Sequence, residues 1–248
     1  MYSILFFVLT LIIGLALNST GINLVATIVI TMVAVFSLYI TIAMIRQRKY
    51  INQLDELCDP EKFLESTMKQ EGITGNCKNS YLFTINTAVS HMELGDYMTG
   101  LKLLESVDKD QFGKNKISQT VYYIDLMICY YELGMIEKAE QLFETVLPLA
   151  APYNNKLKQS IDVLIGERFY YLGRYEESYE HLSKVVKEYQ MCKRRYLEVI
   201  FRLAFMDELK GDMDKAIKRY EKVIKFGNKL GIVNDAKDRL NKLNDIKE

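Results

Sequence analysis

The chain has 248 residues, and its 32 Lys and Arg residues balance its 32 Asp and Glu residues. That balance argues against a nucleic-acid-binding protein, which normally carries a net positive charge. Only three prolines and no strand-like alternation of apolar and polar residues favour an all-α fold. No zinc or redox spacing relates the four cysteines, so we expect reduced thiols and neither a metal nor a cofactor at Cys58, Cys77, Cys129 and Cys192.

The first 45 residues contain no charged side chain and no histidine. Within them, residues 24–45 form an apolar run that, at about 1.5 Å per residue, crosses the roughly 30 Å hydrocarbon core of a bilayer. We therefore predict a transmembrane helix there. A shorter apolar run, residues 2–17, has two interpretations. It is the first leg of a transmembrane hairpin, which we favour, or a signal peptide, although it lacks the basic start and the small-residue cleavage site of such peptides.

Three cations, Arg46, Arg48 and Lys49, directly follow the second apolar run, and none precedes it. Positive residues that flank a membrane span stay in the cytoplasm, so the rest of the chain is predicted to face the cytoplasm. The bias towards lysine, isoleucine, asparagine and tyrosine is typical of an AT-rich bacterial source. We accordingly predict an integral protein of a bacterial plasma membrane.

Four glycines recur 39, 39 and 38 residues apart in the charged part of the chain. A fixed period of this size is typical of an array of helical repeats. A small residue follows each glycine by five positions and a valine by twelve, spacings that place both on one helical face. Each unit is predicted to be a helix, a turn at the glycine and a second helix, which Asp96 and Asp212 can cap. The repeat is defined by Gly95, Gly134, Ala139, Gly173, Gly211 and Ala216.

The pattern resembles the tetratricopeptide repeat over about residues 78–227. The landmarks have the same order: a small residue, an aromatic residue, the turn glycine, a second aromatic residue, alanine and a large hydrophobic residue. The second and fourth units match best, whereas the first has Gly100 and the third Ser178 in place of the usual alanine. Extra residues between the units make the period longer than the family's usual value of about 34. The resemblance implies an α-solenoid that binds proteins.

These patterns predict the domain organisation. A transmembrane hairpin (residues 1–45) is followed by a helical neck (residues 46–76), in which Asp59 and Pro60 are typical of a helix start. Four repeats then occupy residues 77–227, and a capping helix occupies residues 228–248, where apolar residues are sparse.

The resemblance also implies where a partner binds. In the family, the concave groove is lined by residues about ten, six, three and two positions before the turn glycine. At these places the chain lacks the Lys and Asn of the family's carboxylate clamp for chaperone tails, and has apolar and tyrosine residues with a few carboxylates, among them Glu132 and Glu167, instead. About half of such positions can instead pack between helices. The predicted protein- or peptide-binding groove comprises Ile124, Ile128, Tyr131, Tyr170, Tyr171, Phe201 and Phe205.

Other candidate sites have simpler interpretations. His91 and His181 are predicted to pack, and no catalytic motif occurs, so we do not expect an enzyme. A cluster of cations near the junction of the third and fourth units is interpreted as a solvated helix end, with contact to anionic lipid as the alternative: Lys184, Lys187, Lys193, Arg194 and Arg195.

Two functions are compatible with these features. The first is a membrane-anchored, cytosol-facing scaffold that binds a protein or peptide in its groove. The second is a regulatory module, in which the repeats bind a peptide and signal through the hairpin to a membrane partner.

Overall fold

The computed structural model describes residues 23–74, 80–150 and 157–245. Within these residues all regular structure is helical, with eleven α-helices and one 3₁₀-helix, so the all-α prediction is confirmed. The first leg of the predicted hairpin, residues 2–17, lies outside the described residues, as does Cys77. The chain divides into two compact units, residues 1–51 and 52–248.

Helix α1 (Leu24–Asp55) contains the predicted membrane span and continues beyond it. Among the described residues it is the one helix that is long and apolar enough to cross a membrane, a test that signal sequences and the core helices of soluble proteins also pass. Its large apolar side chains point away from protein contacts: Val25, Phe36 and Met44 are each more than 60% exposed. The hydroxyls of Thr31 and Thr41 donate to carbonyls one turn earlier, as polar groups do on an apolar helix.

Helix α2 (Pro60–Thr74) begins where the sequence predicts. The backbone N–H of Lys62 donates to Asp59 Oδ1 at 3.1 Å, so the Asp59 carboxylate satisfies one of the free N–H groups at the helix start. Proline at the first helical position forfeits no hydrogen bond, because a backbone N–H at this position would have no acceptor within the helix.

Four helix pairs follow, each an antiparallel hairpin around one of the repeating glycines. A 3₁₀-helix (Lys109–Phe112) joins the first pair to the second, and a final helix, α11 (Ile232–Asp245), follows the fourth. The pairs are α3 (Ser80–Glu93) with α4 (Tyr97–Glu105), α5 (Lys116–Glu132) with α6 (Ile136–Ala150), α7 (Lys158–Tyr171) with α8 (Tyr175–Glu188), and α9 (Lys193–Leu209) with α10 (Met213–Phe226).

The four glycines end the first helices as predicted, since each has a φ between +71° and +88°. Only glycine takes this left-handed conformation without steric cost. The two predicted caps differ. The Asp96 carboxylate accepts from the Thr99 N–H at 3.1 Å, whereas Asp212 stands at the cap position of its helix without such a side-chain hydrogen bond. The Asp212 side chain pairs with the ammonium group of Lys215 in the first turn of α10 instead.

In the two units that lack the usual alanine, a glycine lies where the paired helices pack. A Cβ atom at Gly100 would lie 2.7 Å from Met92 Cγ, so only glycine fits between α3 and α4. In the third unit the small residue is on the partner helix: a Cβ at Gly166 would lie 2.4 Å from Leu182 Cδ2. The Ser178 hydroxyl then donates to the Gly166 carbonyl at 2.8 Å and is fully buried. Both departures from the family pattern therefore have a packing reason.

Candidate functional site

The first helices of the four pairs, α3, α5, α7 and α9, bear the residues predicted to line a groove. Their face is called the inward face below. Ile124, Tyr131 and Phe201 are buried, with 4%, 2% and 7% of their surface exposed. The other predicted residues, Ile128, Tyr170, Tyr171 and Phe205, are half-buried. Three of the seven positions thus serve the core, and four retain some accessible surface.

Four of the predicted residues form one aromatic cluster that crosses three helices. The rings of Tyr131 on α5 and Tyr171 on α7 stack with centroids 5.0 Å apart. The ring of Tyr170 meets the edges of Tyr171 and of Phe205 on α9, with centroids 5.4 and 5.5 Å apart. Such contacts stabilise the stacking of consecutive repeats beyond what burial alone provides. Phe201 packs away from the cluster, against Tyr220, and the two isoleucines belong to or border the core of the first two pairs.

A charged residue that the sequence analysis did not single out lies over this cluster. The Arg202 guanidinium is centred 4.8 Å from the Tyr170 ring and 5.1 Å from the Tyr171 ring. It pairs with the Glu132 carboxylate and donates to the Tyr171 hydroxyl at 2.6 Å, while that hydroxyl donates to Glu132 Oε1 at 2.6 Å. Burial raises the pKa of Tyr171 well above its usual value, which keeps this hydroxyl protonated.

Arg194, near the start of α9, makes three ion pairs, two of them with distant parts of the chain. Its guanidinium contacts Glu93 Oε1 of the first pair at 2.5 Å, Glu198 Oε1 at 3.2 Å and Asp55 Oδ1, at the end of α1, at 3.2 Å. Only 13% of its side chain is exposed, and Arg195 beside it is 18% exposed and pairs with Glu198 at 2.8 Å.

The interpretation of a solvated helix end is therefore wrong for these two arginines. The start of α9 turns towards Glu93 of the first pair and Asp55 of α1, which local sequence does not show. Lys184, Lys187 and Lys193 are exposed, as that interpretation requires.

The segment between α10 and α11 contacts the beginning of the array. The Gly231 N–H donates to the Glu93 carbonyl at 2.7 Å, and the Lys229 N–H donates to the Cys58 carbonyl at 3.2 Å. The Asn228 side chain donates to the Leu57 carbonyl at 2.9 Å. We call these contacts, together with the Arg194 ion pairs, the closure. They join the last helix pair and the segment after it to the first pair and to the residues before it.

The family model for the tetratricopeptide repeat matches residues 198–225, which lie in α9 and α10. The other three pairs repeat the same glycine turn, and the first and third also have close helix packing at a glycine. The fourth pair is therefore a tetratricopeptide repeat by sequence. Repeats of this family commonly serve as scaffolds for protein–protein interaction.

Comparison with solved structures gives a crystal structure of nearly identical TPR-like repeats, assigned to a kinesin light chain of Podospora anserina. The two chains share 18% sequence identity with a TM-score of 0.42, over 73% of this chain and 94% of that one. No curated protein matches the sequence.

Two acidic residues on the first helices of the tetratricopeptide repeats are buried without full hydrogen bonding. Asp125 on α5 is 8% exposed and Glu167 on α7 is 5% exposed. One carboxylate oxygen of each, Asp125 Oδ2 and Glu167 Oε2, has no hydrogen-bond partner. Burial raises the pKa of both carboxyls to about 7, against the attraction of Arg195 and of the arginines near each. The sequence analysis placed Glu167 at a groove register but did not predict its burial, and it missed Asp125, for which an acid in an otherwise apolar helix face is the signal.

The two histidines contact oxygen atoms of the chain, and the thiols of Cys58 and Cys129 are buried. His181 Nε2 lies 2.8 Å from the Asp162 carbonyl, and His91 Nδ1 lies 3.5 Å from the Asp96 carboxylate. Burial raises the pKa of Cys58 and Cys129 to about 12, so both stay as unreactive thiols. Within the part of the chain that the structure describes, no group of three or more His, Cys, Asp and Glu side chains is arranged to hold a metal ion.

Proposed function

We propose that the chain is a membrane-anchored scaffold whose tetratricopeptide repeats, in the cytoplasm, bind a segment of a partner protein on the inward face. The observation that supports this most is the aromatic cluster on that face. Tyrosine and phenylalanine offer large contact areas with few rotatable bonds to fix, which favours recognition of a peptide or helix. In this proposal Ile128, Tyr170, Tyr171 and Phe205 contact the partner.

The buried members of the predicted groove then have a supporting role. Ile124, Tyr131 and Phe201 hold the half-buried residues in position from beneath, since they contact the core rather than solvent. Arg202 lies over the tyrosine rings in the free protein. A partner that contacts these rings therefore competes with Arg202 for them, and an aromatic or basic side chain is best suited to do so.

Helix α1 supports the proposed anchor. Its exposed apolar surface would be covered by lipid in a membrane, and Arg46, Arg48 and Lys49 follow the apolar run as cytoplasmic flanks do. We propose a bacterial plasma membrane as the location. The balanced charge of the chain gives no reason to propose nucleic acid as a partner, and we propose no catalytic role.

The orientation can be tested with an exposed residue of α8. Glu180 is exposed, and Glu180→Cys would react with a membrane-impermeant maleimide only where the reagent has access. We expect no labelling above the level of the parent chain in intact cells, and labelling after permeabilisation. Labelling in intact cells would place the repeats on the extracytoplasmic side of the membrane.

Partner binding can be tested by co-purification with full-length chains in detergent. Phe205→Ser removes a half-buried ring of the aromatic cluster, and Phe226→Ser removes a ring that is 44% exposed at the end of α10 and serves as the matched control. Circular dichroism must show both variants folded. A partner retained by the parent and by Phe226→Ser, but lost from Phe205→Ser, is the expected result. Equal retention by all three would remove the inward face as the binding site.

A regulatory module is the second candidate, and one contact favours it. Asp55, the last residue of α1, pairs with Arg194, which also pairs with the first repeat. Binding that disturbs Arg194 would therefore reach the end of the proposed membrane helix. Replacing residues 1–45 by an unrelated two-helix anchor should preserve the function of a scaffold and abolish that of a signalling module.

A further inference from the structure

Asp125 and Glu167 face the side of the array on which a partner is proposed to bind. Glu167 lies six positions before its turn glycine, at the same register as Ile128 and Phe205. Asp125 lies nine positions before its own, at the register of Arg202, whose side chain reaches across to Glu132. Residues three apart share one helical face, so the two registers point to the same side.

The surrounding cations are already engaged with other carboxylates. Asp125 is influenced by the charges of Arg195, Arg194 and Glu198, and Glu167 by those of Arg195, Arg202, Glu198 and Glu132. Arg194 is bonded to Asp55, Glu93 and Glu198, Arg195 to Glu198, and Arg202 to Glu132 and Tyr171.

The buried acids of this face therefore outnumber the arginines. Three guanidinium groups lie among five carboxyls on the repeat helices: Glu93, Asp125, Glu132, Glu167 and Glu198.

We infer that Asp125 and Glu167 form a subsite for a cationic group of the bound partner, a lysine ammonium or an arginine guanidinium. A buried carboxylate oxygen without a donor is rare in folded proteins, and a cationic donor of a bound partner would satisfy it. Such a partner is a hydrogen-bond donor and not an anion, because the unpaired atoms are negatively charged hydrogen-bond acceptors. This inference rests on the proposed function, since it names the chemistry that the inward face selects.

An ammonium or guanidinium fits these two residues better than a metal ion. Calcium and magnesium require six or more oxygen ligands in a compact shell, and the described residues hold no such cluster. A lysine or arginine side chain needs only one or two carboxylates, and each resulting hydrogen bond is assisted by charge.

Proton release gives the inference a testable signature. Burial raises the pKa of both carboxyls to about 7, so both are partly protonated near neutral pH, and burial also raises the pKa of Glu93 on the same face. A bound cation requires the ionised form, so binding expels those protons. The affinity for a cationic peptide should therefore rise from pH 6 to pH 8.

The test is a selection from a display library of random heptapeptides, with the full-length chain in detergent micelles as the target. The double variant Asp125→Asn/Glu167→Gln removes both negative charges at nearly constant volume. The double variant Glu176→Gln/Glu180→Gln removes two exposed charges of α8 and is the matched control. Selected peptides are then synthesised, and their dissociation constants are measured by calorimetry at pH 6 and pH 8.

We expect the parent to enrich peptides that contain lysine or arginine and to bind them more tightly at pH 8. Loss of the acidic pair should weaken binding by at least about tenfold, and the control should not. Enriched peptides without cationic residues, or with affinities unaffected by Asp125→Asn/Glu167→Gln, would overturn the subsite but leave peptide binding intact. Failure to enrich any peptide would overturn both proposals.

A separate titration with spermidine identifies the source of the cation. Binding of spermidine that is lost in Asp125→Asn/Glu167→Gln would assign the subsite to a free polyamine. No binding of spermidine, together with tight binding of the cationic peptide, supports a peptide side chain as the occupant.

Discussion

Glu167 is a residue of the inward face that destabilises the protein when no partner is bound. Its carboxyl is 5% exposed, one oxygen has no hydrogen-bond partner, and ionisation leaves a buried negative charge near Glu198 and Glu132. Burial of such a charge destabilises a fold even when arginines are near. A role in binding therefore explains a carboxyl at this position better than a role in stabilising the unbound protein does.

Glu167→Gln should stabilise the chain at pH 8 and change little at pH 5. The pKa of Glu167 is raised from 4.5 to about 7 in the folded state, so the folded protein binds a proton that the unfolded chain releases. The contribution of Glu167 to stability is fully present below pH 4.5 and is lost as the pH rises through about 7. Glutamine does not ionise, so the variant does not show this loss. The expected gain at pH 8 is about 2 kcal/mol, measured by urea denaturation. Glu180→Gln, at an exposed position, should shift the unfolding midpoint at neither pH.

At the scale of the helix, the turn glycines decide where each repeat folds back. The Gly173 φ of +72° ends α7, and nothing lies within 4 Å of the place where a Cβ would stand, so only the backbone conformation requires glycine. Gly72 in α2 also has open space, but its φ is not in the left-handed region. These two glycines separate the effect of conformation from the effect of space.

Gly173→Ala should destabilise the chain by about 1 kcal/mol, because alanine resists the left-handed conformation. Gly72→Ala should instead be neutral or stabilising, by up to about 1 kcal/mol, because alanine favours the helix. Thermal unfolding of both variants, followed by circular dichroism, checks the pair. A loss of similar size in both would mean that the turn conformation is not what Gly173 supplies.

Local pattern was sufficient for the helices and insufficient for their long-range partners. The glycine period predicts each helix end, because a left-handed residue stops a helix wherever it occurs. The partners of Arg194 lie 101 and 139 residues earlier in the chain, and their approach depends on how far the array curves. That curvature accumulates from the rotation between successive repeats, which no short motif encodes. Hence the sequence analysis interpreted Arg194 and Arg195 as exposed, missed Asp125, and did not predict that Glu167 is buried.

At the scale of the whole repeat unit, residues 52–248, the closure joins the last segment to the first repeat. A Cβ at Gly231 would lie 2.8 Å from the backbone N of Gly95 and 2.8 Å from the carbonyl carbon of Leu94. These are backbone atoms, so the neighbour cannot rotate away. A side chain at Gly231 must separate the two segments.

Gly231→Ala should open the closure while leaving the helices folded. The Gly231 N–H donates to the Glu93 carbonyl at 2.7 Å, so loss of this contact exposes the amides around residue 231. Hydrogen exchange followed by mass spectrometry should show faster exchange in the peptide that contains residue 231, with exchange in α5 and α6 unchanged. Unchanged exchange at residue 231 would mean that the closure does not protect it in solution.

Site-specific photocrosslinking tests most directly whether the inward face holds a partner. A photoreactive residue at Leu209, which is 52% exposed and two positions before the turn glycine Gly211, sits at a groove register. The same residue at Phe226, 44% exposed at the end of α10, is the control. We predict a covalent adduct with one partner protein from position 209 and none from position 226 in the native host. An adduct from position 226 alone, or equally from both, would contradict binding at the inward face.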